Sequence, residues 1–392
     1  MLLVLALFAL GLANPQTKAP PEDSQTKLQG AIRALQQQDY VSAEQGFRDV
    51  LALDPHSAAA YCNLGVLYAQ TGRTDSAIEA FRRARAITPG DPGISLDLGL
   101  IYYRREDFAE AITYFEQVLK LDPPHMQAHY LLGMSDFRIE HYAPAVTALE
   151  PILKEKQDDL VLLYVLAVCY GKIKRPDDSI QTFNLFHNAG ADTPLFHLLL
   201  GSLFLDMGNN DTAKDELQKA IAEDPDLPYT HLSLGTAYRR LGLLELAGKE
   251  FDIEIAQNPG EALSYEDRGA LYLQQGVAPE VALKMFKKAL AINPRMPESL
   301  AGMAKCYLAL DRPTLAIPLL MHAIEMDPQS TKMHYLMGRA LLREGNRTEA
   351  EKELAEATAL NHGQNPANAE NKEEGDRLQV LAVPSSDSHP KP

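Results

Sequence analysis

The stretch that decides the fold runs from Ala58 to Asp91 and reads AAAYCNLGVLYAQTGRTDSAIEAFRRARAITPGD. Spacings of three and four place Leu64, Gly65 and Tyr68 on one face of a first helix. A second apolar run carries Ala77 and Phe81, and a proline soon after it stops the second helix, because proline cannot continue one. The stretch therefore predicts a helical hairpin.

The same residue types recur every 34 residues along most of the chain, with one extra residue inside the eighth copy, before its position twenty. Position eight of the repeat holds Gly65, Gly99, Gly133, Ala167, Gly201, Gly235, Gly269, Ala304 and Gly338. Position twenty holds Ala43, Ala77, Ala111, Ala145, Ser179, Ala213, Ala247, Ala282, Ala316 and Ala350. Position twenty-four holds Phe47, Phe81, Phe115, Leu149, Phe183, Leu217, Phe251, Phe286, Leu320 and Leu354. The register predicts ten repeats.

The columns have a packing explanation. Small residues at positions eight and twenty let the two helix backbones approach closely, and the large residue at position twenty-four fills the space beside them. Glycine in a helix interior costs about 1 kcal/mol relative to alanine, so tight packing must offset that cost. One hairpin cannot bury its apolar face alone, so each repeat depends on its neighbours. We therefore expect an all-α fold, an α-solenoid.

This pattern resembles the tetratricopeptide repeat (TPR) family, whose unit is a helix–turn–helix of 34 residues. The second repeat matches best, with Tyr61, Leu64, Gly65, Tyr68, Ala77, Phe81, Ala84 and Pro89. The predicted repeats begin at Ser24, Ala58, Pro92, Met126, Leu160, Pro194, Pro228, Ala262, Pro297 and Thr331, and the array spans residues 24–364. The resemblance implies a right-handed superhelix of hairpins with a concave groove.

The segments outside the array carry different signals. Leu2 to Leu12 are apolar but too few to span a bilayer, and with small residues before a cut after Ala13 they predict a signal peptide, residues 1–13. Residues 14–23 are predicted to be a flexible linker, and residues 365–392 a disordered polar tail. The expected location is the periplasm or the exterior if the signal is cleaved, and the cytoplasm otherwise.

Composition restricts the classes of partner. The chain has 392 residues and a formal charge of −16, which argues against nucleic acid or an anionic membrane surface as the main partner. We expect a protein or peptide partner and no transmembrane span. The sequence leaves the oligomeric state open.

No catalytic motif stands out in the sequence, so we expect a protein that is not an enzyme and needs no cofactor or metal. His125 and His129 have the spacing of metal ligands on a helix. However, His129 occupies position four, as do His197, His231 and His334, and the family places a bulky packing residue there. Packing is therefore the favoured interpretation of these histidines.

Candidate binding residues follow from the groove positions implied by the family resemblance. Position thirteen carries cations in several repeats, which could hold an acidic peptide through charge-assisted hydrogen bonds. Aromatic and apolar residues stand beside them, as in many contact surfaces. The predicted partner-binding groove comprises Arg104, Arg138, Lys172, Arg240, Tyr103, Tyr130, Met134, Phe137 and Tyr164. Two alternatives stay open: the cations compensate helix C-termini, and the apolar residues pack between repeats.

The function favoured by these features is a non-enzymatic scaffold that binds a partner protein or peptide in the concave groove. One alternative is an exported accessory subunit of a cell-envelope biosynthesis or secretion complex. A second alternative is an array associated with an enzyme.

Overall fold

A computed structural model describes residues 22–361, and within this range the chain forms twenty helices and no strand. The helices pair as antiparallel neighbours, each first helix packing on the second helix of its own repeat. The chain divides into two compact modules between Lys156 and Gln157, here called the N-terminal and C-terminal modules. The all-α array of stacked hairpins predicted from the sequence is confirmed.

The N-terminal module contains four hairpins: α1 (Glu22–Gln36) with α2 (Tyr40–Leu53), α3 (Ala58–Gln70) with α4 (Thr74–Ile87), α5 (Pro92–Arg104) with α6 (Phe108–Leu121), and α7 (Met126–Arg138) with α8 (Tyr142–Leu153). The C-terminal module contains six: α9 (Leu160–Lys172) with α10 (Pro176–Gly190), α11 (Pro194–Asp206) with α12 (Asn210–Glu223), α13 (Thr230–Arg240) with α14 (Leu244–Gln257), α15 (Ala262–Gln274) with α16 (Pro279–Ile292), α17 (Pro297–Ala309) with α18 (Pro313–Met326), and α19 (Thr331–Glu344) with α20 (347–361).

Eight of the ten first helices begin at the residue where the sequence places the start of the repeat. The two exceptions are α1, which begins at Glu22 instead of Ser24, and α13, which begins at Thr230 instead of Pro228. Tyr229 has a φ of 69°, which is left-handed and cannot belong to an α-helix.

A buried carboxylate explains how α13 begins. The N–H groups of Tyr229 and Leu232 donate to Glu254 of α14, at 3.1 and 3.2 Å. The side chain of Glu254 is fully buried and also accepts a hydrogen bond from Asn258 at 2.7 Å. A carboxylate from the second helix therefore satisfies N–H groups that the first turn of a helix leaves unpaired.

The position-eight glycines lie directly against the large residues of position twenty-four. A methyl group added at Gly99 would lie 2.5 Å from a ring carbon of Phe115, and one added at Gly133 would collide with Leu149. Phe115 and Leu149 are completely buried. The glycines are thus required by the close approach of the two helices, as the sequence predicted.

Position fifteen, in the turn of each hairpin, has a left-handed backbone in all ten repeats. These residues are Gln38, Gly72, Glu106, Glu140, Lys174, Gly208, Gly242, Gly276, Asp311 and Gly345. This column is not apparent from the sequence, because only half of its members are glycine. The backbone geometry of the turn, and not one residue type, is what repeats.

Several sequence predictions concern residues outside the described range. The signal peptide, residues 1–13, and the tail, residues 365–392, lie outside it, as do residues 362–364 of the array. The predicted linker, residues 14–23, overlaps α1 at Glu22 and Asp23, and its remaining residues are not described. Of the helices between residues 22 and 361, none is long and apolar enough to cross a membrane.

Candidate functional site

The predicted binding residues occupy positions five, nine, twelve and thirteen of the first helices. In the N-terminal module they are Tyr103 and Arg104 on α5, and Tyr130, Met134, Phe137 and Arg138 on α7. In the C-terminal module they are Tyr164 and Lys172 on α9, and Arg240 on α13. We use "first-helix face" for the part of this set on α5 and α7.

Arg104 and Arg138 end α5 and α7, and both side chains are exposed. The guanidinium of Arg138 lies 3.5 Å from the carboxylate of Glu106 and 4.7 Å from the ring centre of Phe108. Glu106 holds position fifteen of the preceding repeat, whereas Gly72 holds that position before Arg104. Among the described residues, Arg104 makes no hydrogen bond or ion pair, so its guanidinium remains available to a ligand.

Two arginines at position thirteen of the C-terminal module have partners at helix ends. Arg240 donates through Nη1 to the carbonyl of Leu205, near the end of α11. Arg343 donates in the same way to the carbonyl of Leu308, near the end of α17. A cation at a helix C-terminus interacts favourably with the helix dipole, so these two arginines fit the helix-end alternative. Lys172 is exposed at the end of α9.

The aromatic residues of the first-helix face are half-buried. The ring of Tyr103 packs edge-on against Phe108 with centroids 5.5 Å apart, and burial raises the pKa of its phenol, while the cation of Arg138 lowers it. The ring of Phe137 lies 6.4 Å from Tyr142, and the ammonium group of Lys156 lies 5.6 Å from the ring centre of Tyr130. Each ring is therefore held in place while one part still faces solvent.

Met134 and Tyr164 contribute less surface than the sequence suggests. Met134 is only 6% exposed, so it packs beneath the exposed residues of the first-helix face and offers little surface to a ligand. Tyr164 is half-buried 6.4 Å from Phe186, and burial raises the pKa of its phenol. These two residues follow the alternative in which groove positions pack against neighbouring side chains.

Two further carboxyl groups on the same helices are not recognisable as candidates from the sequence. Burial raises the pKa of Asp97 on α5 to about 7; nearby Asp91 raises it further and Arg104 opposes the change. Burial also raises the pKa of Asp136 on α7 to about 6, although His141 lies 3.6 Å away and partly compensates. Nothing in the residue types marks these acids as buried, because the neighbouring repeat creates their environment.

The position-four histidines join the two helices of a repeat to the preceding repeat. In His231, Nδ1 lies 2.6 Å from Glu250 and Nε2 lies 3.2 Å from the carbonyl of Pro225. His334 has equivalent contacts with Glu353 and Pro328, at 2.7 and 3.1 Å. Both partners of each ring are acceptors, so both ring nitrogens donate when the imidazole is protonated. These histidines pack between repeats, as the sequence predicted.

The described residues do not assemble an obvious chemical centre. Within residues 22–361, no group of three or more His, Cys, Asp or Glu side chains is placed to hold a metal ion. Cys169 and Cys306 are buried, Cys62 is half-buried, and none of the three forms a disulfide. Burial raises the pKa of Cys62 to about 12 and of Cys306 to about 11, so neither is poised as a nucleophile.

Comparison with protein families gives three matches. Residues 15–160 match the profile described as the TPR domain of cytochrome c-type biogenesis protein H. Residues 198–262 and 308–369 match two profiles that are each described as tetratricopeptide repeat. None of the curated proteins matches the sequence significantly.

Solved structures with a similar arrangement include MamA and yeast Tom70. MamA is 21% identical, with 42% of this chain and 96% of MamA covered and a TM-score of 0.37. Yeast Tom70 is 13% identical, with 92% of this chain and 97% of Tom70 covered and a TM-score of 0.43.

Proposed function

We propose that this chain, which is a tetratricopeptide repeat protein, is a non-enzymatic scaffold that holds a segment of a partner protein against its first-helix face. The observation that carries the proposal is the side-by-side placement of Tyr103 and Arg104 at the end of α5. Phe137 and Arg138 hold the same two positions one repeat later. Aromatic residues and arginine are the residue types that contribute most to protein contacts.

Charge and burial together favour a peptide segment with carboxylates. Arg104 is an exposed guanidinium without an ion pair among the described residues, in a chain whose formal charge is −16. A guanidinium recognises a carboxylate through two parallel hydrogen bonds. The half-buried rings next to it supply apolar area that needs little ordering on binding, because neighbouring side chains already hold them. Nucleic acid does not fit this acidic chain.

A selection of random short peptides displayed on phage tests this proposal directly. The full chain is the bait, and the affinity of the selected peptides is measured by fluorescence anisotropy. We expect the double variant Tyr103→Ala/Arg104→Gln to bind these peptides at least about tenfold more weakly, since it removes a ring contact and a charge-assisted hydrogen bond.

The matched control is Arg343→Gln, which removes a position-thirteen arginine bound to a helix-end carbonyl. It is expected to lower the unfolding temperature slightly and to leave peptide affinity unchanged. Equal affinity of the Tyr103/Arg104 variant and the wild type would refute the assignment of this face.

A second proposed role is that of an accessory subunit in cytochrome c-type biogenesis, and it rests on the family profile that matches residues 15–160. Deletion of the gene in its native host is then expected to reduce c-type cytochromes, measured by haem staining of separated proteins. Unchanged haem staining would remove this role.

Export is proposed for either role because of the apolar run from Leu2 to Leu12 and the small residue Ala13. Determination of the N-terminal residue of the native protein tests it. Processing after Ala13 is the expected result, and an intact Met1 would contradict it.

A further inference from the structure

Asp97, on the second turn of α5, is a carboxyl without a partner. Its side chain has intermediate exposure, so it is largely enclosed yet still reachable from solvent. Among the described residues, no hydrogen-bond donor or ion-pair partner contacts it. Other enclosed acids have one: Asp267 lies 3.2 Å from Arg239, and Glu266 accepts a hydrogen bond from Ser299 at 2.6 Å. A charge that is removed from water without a partner is unfavourable.

The surroundings of Asp97 increase this cost. Burial and the charge of Asp91 both raise its pKa, and Asp97 and Asp91 in turn contribute to the raised pKa of Cys62 on α3. The cation that opposes this effect is Arg104, which acts from a distance and forms no ion pair with Asp97. A cation brought by a ligand would therefore supply an interaction that the chain itself does not provide.

Asp97 and Arg104 lie on the same side of one helix. They are seven residues apart, which is two turns, and this places them about 10 Å apart along the helix axis. Leu100, half-buried, lies between them, and Tyr103 is adjacent to Arg104. The face therefore presents, in order, a carboxylate, an apolar residue and a guanidinium.

We propose that this part of α5 selects partner polypeptides by the order of their charged residues. A lysine or arginine of the partner pairs with Asp97, and an acidic residue about 10 Å away pairs with Arg104. The proposal rests on the proposed function, because it assigns specificity to the same face. Three residues of a polyproline II segment, or two turns of a helix, cover this distance with both charged side chains on one face. A segment with the reverse charge order would place like charges together, which provides discrimination as well as affinity.

The test compares peptides selected from a displayed random library by the full-length wild type, by Asp97→Asn and by Arg104→Gln. The wild-type pool is expected to contain Lys or Arg at one aligned position and Asp or Glu at a second position three or seven residues away. For a selected peptide, Asp97→Asn is expected to lower affinity by about tenfold or more, as for loss of a charge-assisted hydrogen bond. Asp97→Asn should not change the affinity for the same peptide once the basic residue of that peptide is replaced by glutamine.

Asp136→Asn is the matched control, because it removes an enclosed carboxyl from the next first helix that already has His141 as a neighbour. Its selected pool should equal that of the wild type. If the wild-type pool lacks a basic residue whose contribution to affinity depends on Asp97, the charge-order proposal is overturned. The proposed function still stands in that case if Tyr103→Ala weakens binding. Peptides insensitive to both Tyr103→Ala and Asp97→Asn would remove the proposed function as well.

Discussion

The contact between Gly99 and Phe115 allows a quantitative test of the packing that defines the repeat. A methyl group at position 99 would lie 2.5 Å from one ring carbon of Phe115 and 2.8 Å from another. Favourable carbon contacts are about 3.5–4.0 Å, so the ring must move, and it is fully buried. Overpacking of this kind costs about 1–3 kcal/mol, and the better helix propensity of alanine returns about 1 kcal/mol.

We therefore expect Gly99→Ala to destabilise the N-terminal module by up to about 2 kcal/mol. Phe115→Ala alone should cost about 3–5 kcal/mol, because it leaves a cavity. In the Phe115→Ala background the obstacle is absent, and Gly99→Ala should then be neutral or stabilising by up to about 1 kcal/mol. The sign of the effect of one substitution is thus predicted to reverse with its neighbour.

Local unfolding free energies from hydrogen exchange on α5 and α6 are the appropriate measurement, since a repeat array need not unfold in one step. Gly30→Ala is the control, because nothing lies within 4 Å of a methyl group added there. It should be neutral or stabilising in every background. If Gly99→Ala changes stability equally with and without the Phe115 ring, the proposed role of the glycine column is wrong.

Individual contacts elsewhere in the array have three further testable consequences. The hydrogen bond to Glu250 raises the pKa of His231 above 6.5, so the stabilisation from this contact is complete below about pH 6.5 and is lost as pH rises through the folded pKa. His231→Gln should therefore lower the urea midpoint more at about pH 5.5 than at about pH 8.5. Equal losses at the two pH values would contradict a stabilising contact between His231 and Glu250. Glu254→Ala leaves two backbone N–H groups without their acceptor and should destabilise the start of α13 by about 2 kcal/mol or more. Hydrogen exchange should become faster at the start of α13 and stay unchanged at α5, which serves as the internal control. Cys169 and Cys306 are fully buried, so a thiol reagent should label them only in denaturant; rapid labelling of the native protein would show that these helices open easily.

Much of the fold is predictable because each hairpin depends on few residue types at fixed spacing. Gly99 has to be small and Phe115 large for the two helices to meet, and every repeat has a small and a large residue at these two positions. The start of α13 was not predictable, because the left-handed Tyr229 depends on Glu254, a carboxylate 25 residues later. The sequence contains no local signal for such a cap.

The candidate site was only partly predictable, for a related reason. The sequence places Arg104 and Arg240 at equivalent positions, yet Arg240 donates to the carbonyl of Leu205 in the preceding repeat and Arg104 has no such bond among the described residues. The difference arises from contacts between repeats and not from residue type. The same holds for Asp97, whose enclosure depends on neighbouring helices.

The ten left-handed turn residues also divide the hairpins into two classes of mutational tolerance. Five of these turns already use glycine, and any side chain introduced there would add strain. The other five use Gln38, Glu106, Glu140, Lys174 and Asp311, each of which carries a conformational cost of about 1–2 kcal/mol. Because these five sites are far apart in sequence, glycine substitutions at them should add up, and heat resistance could be raised stepwise without altering a single core side chain.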